Sequence, residues 1–445
     1  KNSLMKYIYG LSKSGESIIN YLNSIDENFF CWDDNIRIRN KIKKINKKNN
    51  LIEPDKLNFK LINESFVTPG ISLKNKKISI LKNYKVKLYR DLELYSRIAY
   101  KKKIIAITGT NGKSTTTKLV SDILNQNDIP NFMGGNIGIP LLDFPKKHKN
   151  LKYHVIELSS YQLESFEKFS PYISILLNIS RDHLDRYKNF KEYIYQKEKL
   201  IFTNRKGYNI VCIDDKNTYL IYQKYKKKTI PISSKPFKGA IYYEKNAIID
   251  DYFEKNKKIE LTEISSSLFG DFNIQNILAA YAVSKILKIN LIKFISILKK
   301  FKGLPHRLEL VFLNRKYCII NNSKSTNLES LVNSIKNYTN IKLILGGRAK
   351  DKKFKKLLKY KNRIKKIYLI GESSNFISKE LENKISIELC NTLQNAIKKI
   401  FLDIKKEKQF TNILFSPGCA SFDQFKNFEE RGNEFKKLVK KINHE

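Results

Sequence analysis

The stretch "AITGTNGKSTTTKLV", residues 106–120, contains residue types that can bind a phosphate group. Apolar residues lead into a glycine-containing turn, which is followed by Lys113, a row of hydroxyl side chains and the start of a predicted helix. Successive backbone N–H groups and a helix N-terminus bind phosphate oxygens. In such a loop the lysine reaches the β- and γ-phosphates, and Ser114 or Thr115 can contact Mg²⁺. The stretch therefore predicts a site for a nucleoside triphosphate.

The loop departs from the common phosphate-loop pattern G-x-x-x-x-G-K-[ST]. Ile107 occupies the position five residues before Gly112, and the nearest earlier glycine is Gly109. The physical requirements for phosphate binding are still met, because the turn leads from a strand into a helix. The predicted phosphate-binding residues are Gly109, Thr110, Asn111, Gly112, Lys113, Ser114 and Thr115.

Strand and helix patterns alternate on both sides of this loop. The opening "YIYGLSKSGESIINYL" (residues 7–22) predicts a strand, a turn bracketed by Gly10 and Gly15, and a helix. "YHVIELSS" (153–160) and "ISILLNIS" (173–180) read as buried strands with polar residues at their carboxyl ends, where open α/β sheets bind ligands. "FNIQNILAAYAVSKIL" (272–287) predicts an amphipathic helix.

The alternation predicts an α/β protein with parallel sheets. We expect three domains: an N-terminal Rossmann-like domain (residues 1–95), a central P-loop ATPase domain with a mostly parallel sheet (96–302), and a C-terminal Rossmann-like domain (303–445). The second boundary is placed at Gly303 and Pro305, after the helical region.

The composition limits the possible classes of function. The net charge is +42, but lysine greatly outnumbers arginine and is spread over the whole chain. Nucleic-acid sites favour arginine, so we expect no nucleic-acid partner and keep a nucleic-acid-stimulated ATPase as the alternative of another class. Five dispersed cysteines indicate reduced thiols and a cytoplasmic protein. No apolar run approaches the ~18 residues of a membrane span, so we expect no stable membrane insertion.

Further motifs accompany the string "TGTNGKST". They are "NIGIP" (136–140), "ELSSYQLE" (157–164), "NISRDHLDRY" (178–187), "GDFNIQN" (270–276) and "GLPHRLE" (303–309). Together they resemble the ATP-dependent Mur ligase family and its folylpolyglutamate synthetase relatives, which join an amine to a carboxylate. "NNSKSTN" (321–327) and the tail "SPGCASFDQFKNFEERGNEF" (416–435) resemble the branch that adds D-glutamate to UDP-N-acetylmuramoyl-L-alanine in peptidoglycan precursor synthesis. Another Mur-type or folylpolyglutamate-type amide ligase is the alternative within this class.

The resemblance implies a catalytic centre with ATP and two Mg²⁺ ions. The metal ligands would be Ser114, Glu157, His183 and Lys197, and the catalytic residues would be Lys113, His183 and Lys197. The family carries a carbamylated lysine that helps to organise the second magnesium ion. Lys197 and Lys199 are both candidates, and we choose Lys197 because Tyr193 precedes it with the family's Tyr-x-x-x-Lys spacing.

The resemblance also implies the remaining binding residues. Beside the phosphate loop, ATP would contact Asn273, Asn276, Arg307 and Asn322. The UDP-sugar and D-glutamate would contact Ser12, Ser14, Asp33, Asn136, Thr326, Lys350, Ser421 and Phe428. Two positions depart from the family: Asn322 replaces an aspartate that binds the ribose, and Arg90 replaces a glycine beside the sugar-nucleotide site. UDP-N-acetylmuramoyl-L-alanine and D-glutamate are the expected partners, and we expect a monomer.

Overall fold

The computed structural model describes residues 4–45, 50–144, 151–182, 186–268, 271–349, 353–381 and 384–443. The chain forms two compact units, Lys1–Glu263 with Asp271–Ile297, and Ile264–Gly270 with Leu298–Glu445. The first unit contains a four-stranded and a nine-stranded sheet, and the second contains a six-stranded sheet. The domain boundaries at residues 95 and 302 stay predictions.

The four-stranded sheet is parallel and has the order β2-β1-β3-β4. Its strands are β1 (Met5–Tyr9), β2 (Phe29–Trp32), β3 (Ile62–Val67) and β4 (Lys87–Tyr89), and its helices are α1 (Lys13–Ser24), α2 (Ile36–Ile45), α3 (Lys76–Asn83) and α4 (Asp91–Ile98). The predicted first strand is confirmed, but Gly15 lies inside α1 rather than at the end of the turn. A Cβ atom at Gly15 would lie 2.0 Å from the carbonyl oxygen of Gly10, so glycine lets the helix approach the turn.

The nine-stranded sheet has the order β13-β12-β11-β10-β9-β8-β5-β7-β6. All its strand pairs are parallel except the two that β12 makes at one edge. The strands are β5 (Lys103–Thr108), β6 (Asn131–Gly135), β7 (Tyr153–Glu157), β8 (Ile173–Leu176), β9 (Tyr208–Cys212), β10 (Thr229–Ser233), β11 (Ile241–Glu244), β12 (Ala247–Asp250) and β13 (Lys257–Glu260). The helices of this part are α5 (Lys113–Asn125), α6 (Phe190–Thr203), α7 (Lys216–Tyr225), α8 (Asp271–Ile286) and α9 (Leu291–Lys300).

Helix α8 corrects one prediction. A helix is present where the sequence predicted one, but the expectation of a single apolar face is wrong. Every side chain from residue 276 to residue 284 is buried. The reason is that α8 packs against α5 and also against the sheet at β9, β10 and β11, so it has no broad solvent face.

The six-stranded sheet has the order β14-β15-β19-β16-β17-β18, and only the pair β14–β15 is antiparallel. Its strands are β14 (Glu309–Leu313), β15 (Tyr317–Asn321), β16 (Ile341–Gly346), β17 (Ile364–Ile370), β18 (Ile387–Asn391) and β19 (Thr411–Phe415). Its helices are α10 (Leu328–Ile335), α11 (Ser374–Leu381), α12 (Leu393–Ile404) and α13 (Phe428–Asn443). The mostly parallel α/β architecture predicted from the sequence is confirmed.

Short 3₁₀ helices connect some of these elements. They are Pro54–Lys56, Phe59–Leu61, Leu141–Asp143, Gln162–Glu164, Lys226–Lys228, Ser266–Leu268 and Phe354–Arg363. Across the described ranges, no helix is both long enough and apolar enough to cross a membrane.

Candidate active site

The phosphate loop lies between the central strand β5 and helix α5. Gly112 precedes the helix with φ +83°, in the left-handed region that favours glycine. A Cβ atom there would lie 2.3 Å from Oδ1 of Asn276. The ammonium of Lys113 donates to the carbonyls of Gly109 (3.0 Å) and Thr110 (2.8 Å). The loop therefore holds its lysine beside the backbone that would surround a phosphate.

Asn178, which directly follows strand β8, clamps this loop. Its carbonyl oxygen accepts from the backbone N–H of Thr110 at 2.8 Å. Its side chain accepts from the N–H of Asn111 at 2.8 Å and donates to the carbonyl of Asn111 at 3.2 Å. The motif "NISRDHLDRY" begins with Asn178, but the sequence alone assigned no role to this residue. The available signal was its position at the carboxyl end of a strand predicted to be buried.

Thr110 and Tyr193 connect the loop to helix α6. The hydroxyl groups of the two residues lie 2.9 Å apart, and the Thr110 hydroxyl also accepts from the N–H of Ser180 at 3.0 Å. Tyr193 is buried. The tyrosine used to choose Lys197 on sequence grounds therefore contacts the phosphate loop itself.

Asn273 and Asn276 lie on α8 beside the start of α5. The hydroxyl of Thr116 donates to Oδ1 of Asn276 at 3.0 Å, and Nδ2 of Asn276 donates to Oδ1 of Asn273 at 2.8 Å. Both asparagines are buried. The structure thus brings these two predicted residues to the phosphate loop, where they hold α8 against α5.

Glu157 ends strand β7, next to β5, in register with Ile107. Its side chain is buried, and Oε1 accepts from the side-chain amide of Asn136 at 2.9 Å. The N–H of Asn136 also donates to the carbonyl of Glu157 at 2.9 Å. Asn136, predicted as a substrate-binding residue, therefore orients the carboxylate predicted to bind metal.

Lys197 projects from α6 into the loop and is 1% exposed. Its ammonium donates to the carbonyl of Gly109 at 2.7 Å and lies 5.0 Å from the ring centre of Tyr193. Burial, with the nearby charge of Lys113, lowers the pKa of Lys197 well below its usual value, although Asp182 and Glu157 oppose the shift.

Lys199 points elsewhere. Its ammonium donates to the carbonyl of Glu164 at 2.8 Å, and burial lowers its pKa to about 8. Of the two candidate lysines on α6, Lys197 is the one whose ammonium contacts the phosphate loop.

The donor set at the loop suits a hard cation. Ser114, buried at the start of α5, offers a hydroxyl oxygen, and Glu157 offers carboxylate oxygens, which are the donor types that Mg²⁺ prefers. Within the described ranges, no three His, Cys, Asp or Glu side chains form a group that could hold a metal ion. His183 lies outside those ranges, and Thr115 lies half-buried in the first turn of α5.

Three of the residues predicted to bind the UDP-sugar, Ser12, Ser14 and Asp33, lie at the carboxyl edge of the four-stranded sheet. Ser12 occupies the N-cap position of α1 without a side-chain capping hydrogen bond and is exposed, and Ser14 is half-buried in the first turn of α1. The carboxylate of Asp33 accepts from the N–H of Leu11 at 2.7 Å and from that of Asn35 at 2.8 Å. Asp33 therefore shapes the turn that carries the two serines.

In the second unit, Arg307 lies in a turn between His306 (φ +62°) and Leu308 (φ +47°). Asn322 is buried, accepts from the N–H of Leu308 at 3.3 Å and donates to the hydroxyl of Ser416 at 3.1 Å. Asn322 thus holds this turn against the end of β19.

Arg431, to which the sequence alone assigned no role, connects the segments that contain Thr326, Ser421 and Phe428. The buried guanidinium of Arg431 donates to the carbonyl of Ser323 at 2.8 Å and to that of Cys419 at 3.0 Å. The hydroxyl of Ser323 donates to the carbonyl of Phe428 at 2.8 Å. Burial lowers the pKa of Arg431 to about 10. Lys350 lies outside the described residues.

Comparison with known proteins identifies the family. The Mur ligase middle domain matches residues 107–284, which include the phosphate loop, Glu157 and Lys197. The UDP-N-acetylmuramoylalanine–D-glutamate ligase of Rickettsia bellii is 34% identical over 444 residues, covering 98% of this chain and 97% of the relative. The chain belongs to the Mur ligase family. As a Mur ligase it is an ATP-dependent ligase of peptidoglycan precursor synthesis.

Other Mur ligases agree with this assignment. The enzyme of the same name from Buchnera aphidicola subsp. Schizaphis graminum is 40% identical over 391 residues, covering 85% of this chain and 84% of the relative. Among solved structures, the UDP-N-acetylmuramate–alanine ligase of Thermotoga maritima matches with a TM-score of 0.60 and 16% identity, covering 99% of both chains. A pseudomurein peptide ligase of Methanothermus fervidus matches with a TM-score of 0.56 and 19% identity, covering 99% of this chain and 100% of that one. These structures support the fold.

Proposed function

We propose that this Mur ligase joins D-glutamate to the alanyl carboxylate of UDP-N-acetylmuramoyl-L-alanine. The observation that carries the proposal is the similarity along 98% of the chain to a relative named for that reaction. The buried lysine and carboxylate at the phosphate loop supply the chemistry that such a reaction requires.

The reaction proceeds in two steps. A carboxylate oxygen of UDP-N-acetylmuramoyl-L-alanine, the acyl donor, attacks the γ-phosphorus of ATP, the bond to the β-phosphate oxygen breaks, and ADP leaves. The amine of D-glutamate then attacks the acyl phosphate, loses a proton, and inorganic phosphate leaves as the amide forms. Positioning and charge stabilisation dominate phosphoryl transfer. The phosphate loop and Lys113 would hold the β- and γ-phosphates in place.

Mg²⁺ would be held by Ser114 and Glu157, with His183 as a further ligand on the family pattern. When bound, the ion neutralises charge on the transferred phosphoryl group. Asn136 keeps the Glu157 carboxylate oriented through its 2.9 Å hydrogen bond. The carboxylate oxygens of Glu157 are donors of the type that Mg²⁺ prefers, which supports Glu157 as a ligand.

Lys197 is the proposed site of the carbamate. Only a neutral amine attacks carbon dioxide, and burial favours the neutral amine of Lys197. The product carries a negative charge, so it can approach a cation that protonated lysine would repel.

The remaining assignments follow the family pattern. ATP would contact Asn273, Asn276 and Arg307. The side chain of Asn322 is already engaged by Leu308 and Ser416 and lacks a charge, so we propose a weaker grip on the ribose than an aspartate would provide. Ser12, Ser14, Asp33 and Asn136 are proposed for the UDP-sugar. Thr326, Lys350, Ser421 and Phe428 are proposed for D-glutamate.

The decisive experiment is ADP release from ATP with UDP-N-acetylmuramoyl-L-alanine and a panel of D- and L-amino acids. We expect D-glutamate to support the fastest turnover and L-glutamate to support little. Preference for another amino acid would point to a different branch of the family. Turnover only with a folate acceptor would indicate a folylpolyglutamate-type ligase.

Lys350 tests specificity for D-glutamate. Loss of the cation paired with the side-chain carboxylate should cost about 2–4 kcal/mol, or roughly 30- to 1000-fold in kcat/KM for D-glutamate. Lys350→Ala should leave acyl phosphate formation intact. The control is Lys353→Ala, which removes an exposed lysine of the same segment. Unchanged KM and kcat in Lys350→Ala would refute the assignment.

A further inference from the structure

Arg90 precedes helix α4, and its side chain is completely buried. Its Nη1 donates to three backbone carbonyls, those of Val67 (2.9 Å), Thr68 (2.7 Å) and Ile71 (2.9 Å). These carbonyls belong to the last residue of strand β3 and to the loop that follows it. One guanidinium therefore holds both ends of the five-residue segment 67–71.

Arg186 holds the middle of the same loop. Its Nη2 donates to the carbonyls of Pro69 (2.9 Å) and Ile71 (2.8 Å), and its Nη1 donates to that of Gly70 at 3.3 Å. Every carbonyl from residue 67 to residue 71 thus accepts from one of the two arginines.

Glu164 joins the two arginines. Its Oε2 accepts from Nη2 of Arg90 and lies 3.4 Å from Nη2 of Arg186. The three side chains are between 0% and 11% exposed. We call this group the Arg90–Glu164–Arg186 clamp. Glu164 follows strand β7 of the nine-stranded sheet, so the clamp fastens the loop after β3 to a different sheet of the same unit.

The clamped loop lies against the turn that precedes α1. A Cβ atom at Gly10 would lie 2.1 Å from the hydroxyl oxygen of Thr68 and 2.6 Å from Cδ1 of Ile71. The N–H of Thr68 donates to the carbonyl of Tyr9 at 3.0 Å. With so little space between them, a shift of the loop must move the turn that leads to Ser12.

We propose that Arg90 is a positioning residue for the UDP-sugar site, acting through the clamp on the loop of residues 67–71. This inference rests on the proposed function, which assigns the Gly10–Ser14 turn to the UDP-sugar. The clamp combines two guanidinium groups with one carboxylate, and it holds its loop against the turn assigned to the UDP-sugar. A lysine cannot replace Arg90, because a single ammonium lacks the planar fork that reaches several carbonyls and a carboxylate together.

The test is steady-state kinetics of Arg90→Lys and Glu164→Gln, with each substrate varied in turn. We expect KM for UDP-N-acetylmuramoyl-L-alanine to rise about 10- to 100-fold, as when a charged hydrogen bond is lost. KM for ATP should stay within about twofold. Glu164→Gln keeps the size of the side chain, so it decides the question if Arg90→Lys does not fold.

The matched control is Arg97→Lys on helix α4, the helix that Arg90 precedes. Arg97 pairs with Glu64 and Glu93, and neither its ion pairs nor its hydrogen bonds involve the loop. Both KM values should stay unchanged in this control. If Arg90 had only a structural role, Arg90→Lys would lower kcat or thermal stability and would change KM for UDP-N-acetylmuramoyl-L-alanine and KM for ATP alike. That outcome would overturn the inference. If the wild-type enzyme did not turn over UDP-N-acetylmuramoyl-L-alanine, that result would instead refute the proposed function.

Discussion

The two lysines Lys197 and Lys199 show how two positions on one helix separate chemically. They are two residues apart on α6, so they point about 200° apart around the helix axis. The ammonium of Lys197 reaches the carbonyl of Gly109, and that of Lys199 reaches the carbonyl of Glu164. Burial lowers the pKa of both, so the direction of the side chain distinguishes them.

Lys197→Ala should reduce kcat by orders of magnitude and leave the unfolding temperature nearly unchanged, whereas Lys199→Ala should have a small effect on kcat. The physical reason is that only Lys197 can place a carbamate beside the phosphate loop. Steady-state kinetics gives the ranking. Carbon-13 NMR with labelled bicarbonate should show a carbamate signal that Lys197→Ala alone abolishes. The reverse ranking would assign the carbamate to Lys199.

Gly112 is a second position at which one residue decides the geometry of the phosphate loop, because the backbone there requires glycine. Gly112→Ala places a Cβ atom 2.3 Å from Oδ1 of Asn276 at a φ of +83°, so we expect ATP affinity to fall at least about tenfold. Gly239→Ala is the matched control, since it has a φ of +79° with nothing within 4 Å of the added atom. This control should lose about 1 kcal/mol of stability from backbone strain and keep its ATP affinity. Calorimetric titration with a non-hydrolysable ATP analogue compares the two, and equal affinities would contradict the clash.

At the scale of elements, the phosphate loop depends on the strand beside it. Strand β8 is the neighbour of β5 and ends directly before a polar segment. Asn178 in that segment binds Thr110 and Asn111 through three hydrogen bonds. The loop conformation is therefore held by a strand neighbour as well as by its own glycines.

Asn178→Ala should raise KM for ATP about 2- to 10-fold, because the half-buried Asn178 side chain makes two hydrogen bonds to the backbone of Asn111 that the variant loses. The control Asn204→Ala removes a buried asparagine that bonds Ser174, Tyr208 and Gly207. It should lower stability without changing KM for ATP. Equal effects of both variants on KM would show that the change acts through general destabilisation.

For the whole molecule, the buried histidine His154 links stability to pH. It lies on β7 with its Nδ1 2.7 Å from the Tyr95 hydroxyl, and the rings of Phe132 and Phe144 pack around it. Burial lowers its pKa from 6.5 to about 4, and the charge of Lys102 adds to the shift. The native state therefore binds this proton less readily than the unfolded state does.

As pH falls below about 6.5, the unfolded chain takes up this proton first, so the free energy of unfolding decreases. We expect the titration of His154 to lower the free energy of unfolding by about 2 kcal/mol between pH 7 and pH 5. The full contribution of this group, reached below its native pKa, is about 3 kcal/mol. His154→Gln keeps an acceptor for Tyr95 but does not titrate. Urea unfolding, followed by the fluorescence of the single tryptophan Trp32, should show a shallower pH dependence in this variant. Parallel curves for the two proteins would exclude the effect.

The sequence by itself determined the features that are local along the chain. The phosphate loop and the alternation of strands and helices follow from turn residues and from side-chain periodicity, which act over a few neighbouring residues. The same local signals predicted a parallel α/β architecture, which the structure confirms. They also produced the error at α8, because periodicity does not report how many neighbours a helix has.

Only the tertiary structure decided which distant segments meet. Asn178 and Asn111 are 67 residues apart in the chain, and Arg90 and Glu164 are 74 apart. Asn178 reaches Asn111 because the order of strands places β8 beside β5. Arg90 reaches Glu164 because the four-stranded and the nine-stranded sheet pack within one unit. Strand order depends on the packing of the complete core. For that reason the sequence could predict the reacting groups, while the contacts that hold them in position became visible only in the fold.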